Sequence, residues 1–225
     1  MASILVVCTG NICRSPAGEI LLQGYLGDLA RVTSAGTHAM VGQAPTAPML
    51  DLLAADGFDG SGHRASQLTA ARIEEADLII AMTAAHRRWV LQETPSALAK
   101  TFLLTELAAG VRGLGGAGDL GLAGDLAGAR ADTATVEGAG DRDLAGVGNL
   151  AGAVDLDLAR ARADAATVER RVRGLAEALA PVRPAIARAG TPDVPDPYLR
   201  GGAAYQDSYA MIRHDSAALA AWLLR

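Results

Sequence analysis

The chain has 225 residues, of which 50% are hydrophobic and 20% charged, so it is too apolar to be disordered throughout and long enough for one domain or two. Its longest purely apolar run, residues 217–224, is far shorter than the roughly 18 residues that cross a bilayer. The apolar stretch at residues 4–7 is too short for a signal-peptide core, so we expect a cytoplasmic protein. A formal net charge of -5 gives no general attraction to nucleic acid or to an anionic membrane.

Four short runs rich in Val, Ile and Leu alternate with helical patterns, and we predict strands at residues 3–7, 31–35, 77–82 and 100–104. Such alternation is typical of a parallel sheet with right-handed crossovers. A last helix is predicted at about residues 203–224. Its apolar side chains recur on one side, which should cover the sheet, and they are Tyr205, Tyr209, Ile212, Leu219 and Leu223.

The middle of the chain differs in composition. Residues 108–154 hold half of the 26 glycines, and we predict that they form a low-complexity, mobile insertion, because Gly, Ala and Asp offer little surface to bury. Residues 155–190 are predicted to be the helical part of this insertion. Four apolar side chains there share one helical face, which should pack on the main domain, and they are Val168, Val172, Leu175 and Leu179.

The first strand leads directly into Cys8-Thr9-Gly10-Asn11-Ile12-Cys13-Arg14-Ser15-Pro16, and residues 17–26 read as a helix with Pro16 in its first turn. A loop that runs from the carboxyl end of a parallel strand into a helix N-terminus favours an anion, because backbone N–H groups and the helix dipole face it. We therefore predict a phosphate-binding loop.

Cys8 and Arg14 frame this loop and can converge on one centre. A guanidinium can bind two phosphate oxygens, and its positive field favours the thiolate form of a nearby cysteine, which would then attack phosphorus. The competing interpretation is that Cys8 is a small buried residue at a strand end and that Gly10 only serves a turn. A metal site is disfavoured, because Cys8 and Cys13 lack a second ligand pair and the four histidines are scattered.

The sequence resembles the low-molecular-weight protein tyrosine phosphatases, whose signature of Cys, five residues, Arg and Ser is matched at Cys8 to Ser15. The resemblance extends to Ser34-Ala-Gly-Thr37, to Asp77-Leu-Ile-Ile-Ala-Met82 and to Asp196-Pro-Tyr198. It implies an α/β fold, a three-layer sandwich with a four-stranded parallel sheet in the order 2-1-3-4. The phosphatase domain would comprise residues 1–107 and 191–225, interrupted by the insertion.

By this resemblance Cys8 is the nucleophile, Arg14 binds phosphate and Asp196 is the general acid, with no metal or cofactor. Asp193 is the alternative acid, but Pro residues on both sides of Asp196 restrict its backbone and favour it. The remaining implied residues bind phosphate or support the loop: Thr9, Gly10, Asn11, Ile12, Cys13, Ser15, Ser34 and His63.

The substrate cleft departs from the family pattern. Met40 stands where the family usually has an aromatic residue, and Tyr198 is open to two interpretations, a wall of the cleft or core packing. Thr83 replaces the family's Asp after the third-strand Met, which we expect to alter the support of His63. The other histidines are predicted to be surface or packing residues: His38, His86 and His214.

The resulting function is a metal-independent phosphatase that hydrolyses phosphotyrosine in proteins through a phosphocysteine intermediate. The alternatives are a protein-arginine phosphatase, whose signature has Thr where this chain has Ile12, and an arsenate reductase, although no cysteine follows Cys13. A non-catalytic phosphate-binding module is a third class. Two further hypotheses are a disulfide between Cys8 and Cys13 under peroxide, and an insertion that gates the site or recruits a partner.

Overall fold

The computed structural model describes residues 1–115 and 155–225. Four parallel strands form one sheet in the order β2-β1-β3-β4, which confirms the predicted fold and strand order. Their bounds are β1 (Ala2–Cys8), β2 (Ala30–Gly36), β3 (Leu78–Ala81) and β4 (Thr101–Leu103). Because all strands run in the same direction, their carboxyl ends meet at one edge of the sheet, and Cys8 lies there at the end of the central strand β1.

Nine helices surround the sheet in the described residues. They are α1 (Arg14–Leu26), α2 (Ala47–Ala55), α3 (Ala70–Glu75), α4 (Ala84–Glu93), α5 (Leu104–Gly115), α6 (Leu156–Arg162), α7 (Ala165–Leu179), α8 (Arg183–Ala189) and α9 (Gly202–Leu223), with 3-10 turns at Gly27–Leu29 and Pro95–Lys100. None of them is long and apolar enough to span a membrane.

Alternation along β1 divides the core into two layers. Ile4, Val6 and Cys8 face a large cluster that includes side chains of α1, α5, α7 and α9. Leu5 and Val7 face a smaller cluster with α3 and α4. The predicted apolar face of the C-terminal helix is confirmed, because all five of its named side chains are buried.

The start of the insertion differs from the prediction. Residues 108–115 continue α5, because Leu107 and Val111 lie four residues apart on one helical face and are buried where this helix packs against α9. Gly110 permits a close approach to the later helices, since a Cβ there would lie 2.5 Å from Leu179 Cδ2. Residues 116–154, which are the rest of the predicted mobile segment, lie outside the described residues.

The helical segment 155–190 consists of α6, α7 and α8, and the four predicted apolar side chains of α7 are buried in the large cluster. Arg173 pairs with Asp77, which directly precedes β3, at 3.0 Å. The Glu169 carboxylate lies 2.8 Å from the N-terminal amine of Met1, which precedes β1. These contacts place α7 at the amino edge of the sheet, opposite the edge where Cys8 lies.

Replacing Leu175 by Ala tests whether α7 belongs to the main core. Leu175 is buried, so Leu175→Ala should lower the free energy of unfolding by about 3 kcal/mol, measured by urea denaturation. The control is Glu177→Ala on the exposed side of the same helix, which should change it by less than about 0.5 kcal/mol. An unchanged Leu175→Ala protein would show that α7 adds nothing to the cooperative core.

Candidate active site

The loop between β1 and α1 has its carbonyl groups turned outward. Four of these carbonyls accept bonds from a following segment, and the pairs are Thr37 N to Cys8 O, His38 N to Thr9 O, Met40 N to Gly10 O and Thr46 N to Ile12 O, at 2.9 to 3.0 Å. Within a planar trans peptide the N–H points opposite to the C=O. The N–H groups of this loop are therefore left to face its interior, which makes a nest for an anion.

Asn11 holds the loop in shape. Its backbone is left-handed, with φ 55°, which asparagine tolerates better than most residues. Its Nδ2 donates to Ser15 Oγ at 2.9 Å and to Ser34 Oγ at 2.7 Å, and its Oδ1 accepts from Ser66 N at 2.8 Å. The side-chain amide is thus bonded on all sides although it is fully buried.

Cys8 shares this network through Ser15. The Cys8 Sγ and Ser15 Oγ atoms are 2.9 Å apart. Because Ser15 Oγ already accepts from Asn11, its own hydrogen is available to the sulfur, which is the arrangement that stabilises a thiolate. α1 begins at Arg14, three residues earlier than predicted, so its N-terminal turn closes the loop that starts at the nucleophile.

Glu19 links Ser34 to His63, a role that sequence reasoning missed. Ser34 Oγ donates to Glu19 Oε2 at 2.5 Å, and His63 Nδ1 lies 3.1 Å from the same oxygen. His63 Nε2 lies 3.2 Å from Asn11 O, so both ring nitrogens face acceptors. Thr83 takes no part in this support, because its side chain contacts His86 instead. In the sequence, the only signal for this role of Glu19 is its position four residues after Ser15, which places both side chains on one face of α1.

Arg14 joins the loop to the segment before α9. Its side chain is buried, and Arg14 NH2 lies 2.7 Å from Asp196 Oδ2, while NH1 donates to Val194 O at 3.3 Å. Its Nε is buried and has no hydrogen-bond partner among the described residues. A charged guanidinium with an unpartnered N–H therefore lies beside the N–H groups of the loop, as binding of an oxyanion requires.

Asp193 and Asp196, the two candidate acids, have different partners. Asp193 Oδ1 accepts from Ala84 N at the start of α4, at 2.7 Å, so it anchors the segment. Val194 N and Thr105 Oγ1 add two more anchoring bonds, to Met82 O and Pro192 O, each at 2.9 Å. Asp196 instead faces Arg14 with a half-exposed side chain. Only Asp196 is therefore placed to reach a group bound at the loop.

Neither of the predicted cleft residues, Met40 and Tyr198, is fully buried in the core. Ile12 and Met40 flank Gly10, since a Cβ on that glycine would lie 3.4 Å from Ile12 Cγ1 and 3.8 Å from Met40 Cγ. Tyr198 is 40% exposed, so core packing is not its role, and Leu199 beside it is 85% exposed. Apolar side chains thus lie beside Gly10, and Tyr198 lies beside Asp196.

Cys13 is buried, and its thiol lies 3.4 Å from Thr46 Oγ1 and 3.8 Å from Tyr205 OH. Burial raises the pKa of this thiol. Both cysteines are free, and the peroxide-induced disulfide stays a prediction. No cluster of three or more His, Cys, Asp or Glu side chains in residues 1–115 and 155–225 is placed to hold a metal ion.

Residues 3–115 match the family model of the low molecular weight phosphotyrosine protein phosphatases. The chain belongs to this family. It is 45% identical over 101 residues to the low molecular weight protein-tyrosine-phosphatase Etp of Escherichia coli, covering 45% of this chain and 68% of that protein. It is 36% identical over 110 residues to a protein-arginine-phosphatase of Geobacillus stearothermophilus, covering 49% of this chain and 74% of that protein.

Solved structures share the fold of this phosphatase. Vibrio vulnificus Wzb, solved in complex with benzylphosphonate, aligns over 97% of both chains with a TM-score of 0.57 and 23% sequence identity. The YwlE arginine phosphatase from Geobacillus stearothermophilus aligns over 98% of this chain and 91% of that one, with a TM-score of 0.60 and 20% identity. The described residues thus form the fold of this enzyme family.

His86 of this phosphatase is a buried packing residue, one of the two alternatives predicted for it, but its contact with the phosphate loop was not foreseen. Its Nε2 lies 2.9 Å from Thr9 Oγ1 and its Nδ1 lies 2.9 Å from Thr83 Oγ1. Burial, reinforced by the charge of Arg14 and opposed by Asp196 and Asp193, lowers the pKa of His86 to about 4. The signal in the sequence was its position three residues after the N-cap Thr83. His38 and His214 are exposed, as predicted.

The depressed pKa of His86 predicts a pH dependence of stability. Its folded-state pKa of about 4 lies below the ordinary value of 6.5, so the unfolded chain binds the extra proton between these values. The contribution of His86 to the free energy of unfolding is fully present above pH 6.5 and is lost as the pH falls toward 4. Between pH 7 and 4.5 the loss should be about 2 kcal/mol, measured by urea denaturation.

The variant His86→Gln should remove this part of the pH dependence, because the amide does not titrate. His38→Gln is the control, since His38 is exposed and should leave the dependence as it is. If His86→Gln and the parent lose stability equally between pH 7 and 4.5, the buried neutral state of His86 is refuted.

Proposed function

We propose that this phosphatase hydrolyses phosphotyrosine in proteins by way of a phosphocysteine intermediate. The observation that carries the proposal is the 2.7 Å contact between Arg14 and Asp196 beside the loop that holds Cys8. It joins a phosphate-binding cation, a carboxylate and a nucleophile at one edge of the sheet. Arg14 and the loop N–H groups supply the charge stabilisation for which other phosphatases use metal ions.

Binding of a phosphate monoester rearranges this ion pair. The dianion takes the donors of Arg14, including the unpartnered Nε, and competes with Asp196 for the guanidinium. The first step then requires the displaced Asp196 carboxyl in its protonated form, because the departing oxygen needs a proton. Its half-exposed side chain can exchange that proton with solvent.

In the first step the Cys8 thiolate attacks phosphorus and forms the S–P bond while the P–O bond to the tyrosine oxygen breaks. Asp196 delivers its proton to the departing oxygen, because a phenolate is a poor leaving group. In the second step water attacks phosphorus, Asp196 accepts a proton from the water, and the S–P bond breaks. The hydrogen that Ser15 offers to Sγ stabilises the departing thiolate.

The substrate preference rests on Ile12 and Met40. Both side chains are apolar and flank Gly10, and Tyr198 is exposed near Asp196, so an aromatic ring finds apolar neighbours there. A second candidate is phosphoarginine in proteins, because a relative at 36% identity is a protein-arginine-phosphatase. The branched apolar side chain of Ile12 favours the aromatic ring over a guanidinium.

We also propose that residues 1–107 and 191–225 carry the catalysis and that residues 155–190 stabilise them from the far edge of the sheet. The buried face of α7 and its ion pairs near β1 and β3 support this division. A direct contact between α7 and a substrate at the loop is therefore not expected. Gating or recruitment by the insertion would depend on residues 116–154.

Asp196→Asn and Asp193→Asn form a matched pair that tests the acid. Asp196→Asn should lower kcat for phenyl phosphate by about 10²-fold or more, because the phenolate then departs without a proton. The loss should be smaller for p-nitrophenyl phosphate, whose leaving group needs less protonation. Asp193→Asn should change kcat by less than about threefold, because an amide oxygen still accepts from Ala84 N.

Cys8→Ser completes this series and should abolish turnover in a folded protein, since a serine hydroxyl is a far weaker nucleophile here. Steady-state kinetics with chelator present measure all three variants. Equal losses in the two aspartate variants, or residual turnover in Cys8→Ser, would refute the assigned roles.

Peptides of one sequence that carry phosphotyrosine or phosphoarginine test the substrate. We expect kcat/KM to favour phosphotyrosine by more than about tenfold, because Ile12 offers no polar partner to a guanidinium. Ile12→Thr should reduce this ratio, and Ile12→Val, which stays apolar, should keep it. A parent enzyme that prefers phosphoarginine would replace the first candidate by the second.

A further inference from the structure

The first turn of α4 touches both loops of the site. His86, in this turn, contacts Thr9 of the phosphate loop at 2.9 Å. Ala84, two residues earlier, donates its N–H to Asp193 of the acid loop at 2.7 Å. The nucleophile Cys8 directly precedes Thr9, and Asp196 follows Asp193 by three residues. One helical turn therefore lies between the two loops that must face each other across a substrate.

One tautomer of the His86 ring satisfies both of its hydroxyl contacts with the ring proton on Nε2. Thr83 Oγ1 accepts from the backbone N–H of His86 at 3.2 Å, so its own hydrogen is free to donate to His86 Nδ1. With Nδ1 as acceptor, the ring proton of the neutral imidazole lies on Nε2 and is donated to Thr9 Oγ1. In this tautomer the chain of bonds runs from Thr83 through His86 to Thr9.

Burial and the charge of Arg14 favour the neutral form of His86, and the charges of Asp196 and Asp193 oppose it. Arg14 is the cation that acts on the His86 ring, and Asp196 and Asp193 are the anions that face it. Protonation would put a second positive charge near the buried guanidinium of Arg14. The ring is buried, with 6% of its surface exposed, so solvent cannot replace either bond.

We propose that His86 is a positioning residue that couples the phosphate loop to the acid loop through the first turn of α4. By holding Thr9 it orients the first loop N–H after the nucleophile. Because the same turn binds Asp193, it also sets the distance from Cys8 to Asp196. The inference rests on the proposed function, since it assigns these two residues to nucleophile and acid.

Two replacements of His86 separate its two ring contacts. Asn carries its amide near the position of Nδ1, so His86→Asn keeps a partner for Thr83 but does not reach Thr9. Gln carries its amide near the position of Nε2, so His86→Gln keeps a donor for Thr9. Capping of α4 predicts no advantage for Gln over Asn, and a role that only fills the core would change the thermal stability and lower kcat equally for good and poor leaving groups.

We expect His86→Asn to lower kcat for phenyl phosphate by about tenfold, and His86→Gln by less than about threefold. The loss in His86→Asn should be larger for phenyl phosphate than for p-nitrophenyl phosphate, because a displaced acid matters most for the poorer leaving group. KM should change less than kcat, since Arg14 keeps its contacts.

Thr9→Val tests the same contact from its exposed side, where a failure to fold is not expected. It should lower kcat about as much as His86→Asn, and the double variant should lose no more than either single one. Equal activity of the Asn and Gln variants, or independent losses in the double variant, would overturn the inference.

The proposed function is judged separately, by Asp196→Asn in the parent background. If that variant shows no dependence on the leaving group, the proposed function fails whatever His86 does. If Asp196→Asn shows this dependence but His86→Asn leaves the ratio of the kcat values for the two substrates unchanged, only the proposed coupling through α4 is refuted. Thermal unfolding of each variant at pH 7 confirms that the compared proteins are folded.

Discussion

The active site depends on the fully buried side chain of Asn11. A left-handed residue other than glycine costs about 1 kcal/mol or more, and it persists only where its surroundings hold it. Here the side-chain amide binds Ser15, Ser34 and Ser66, and the backbone carbonyl faces His63. With this residue in place, the loop carbonyls turn outward and the loop amides turn inward. Nucleophile, nest and helix N-terminus follow from that one conformation.

Arg14 is a buried charge that needs compensation in every state of the site. A buried guanidinium without an anion would cost several kcal/mol, and Asp196 supplies the anion in the structure. A bound phosphate would take the same place, so the acid and the substrate alternate as partners of one cation. The anchoring of the acid loop by Asp193, Val194 and Thr105 keeps this exchange local.

The additional helices belong to the core and not to the cleft. α7 places four apolar side chains in the large cluster and forms ion pairs at the amino edge of the sheet. The chemistry lies at the carboxyl edge, because β1 delivers Cys8 there. A parallel sheet thus lets the chain gain helices at one edge while the loops of the other edge keep their geometry.

The sequence by itself determined the four strands, the helical face of α7, the C-terminal helix and the nucleophile loop, because local periodicity and one contiguous motif carry that information. The order of the strands came only from the family resemblance that this motif carries. Sequence reasoning misjudged the boundary at residue 108, since the helical spacing of Leu107 and Val111 was weaker than the glycine signal around it. Only the tertiary structure decided that Glu19 supports His63, that Asp193 anchors while Asp196 faces Arg14, and that His86 is buried against Thr9. Those contacts join residues from 44 to 182 positions apart, and a hydrogen bond between such residues exists only once the sheet has brought their elements together.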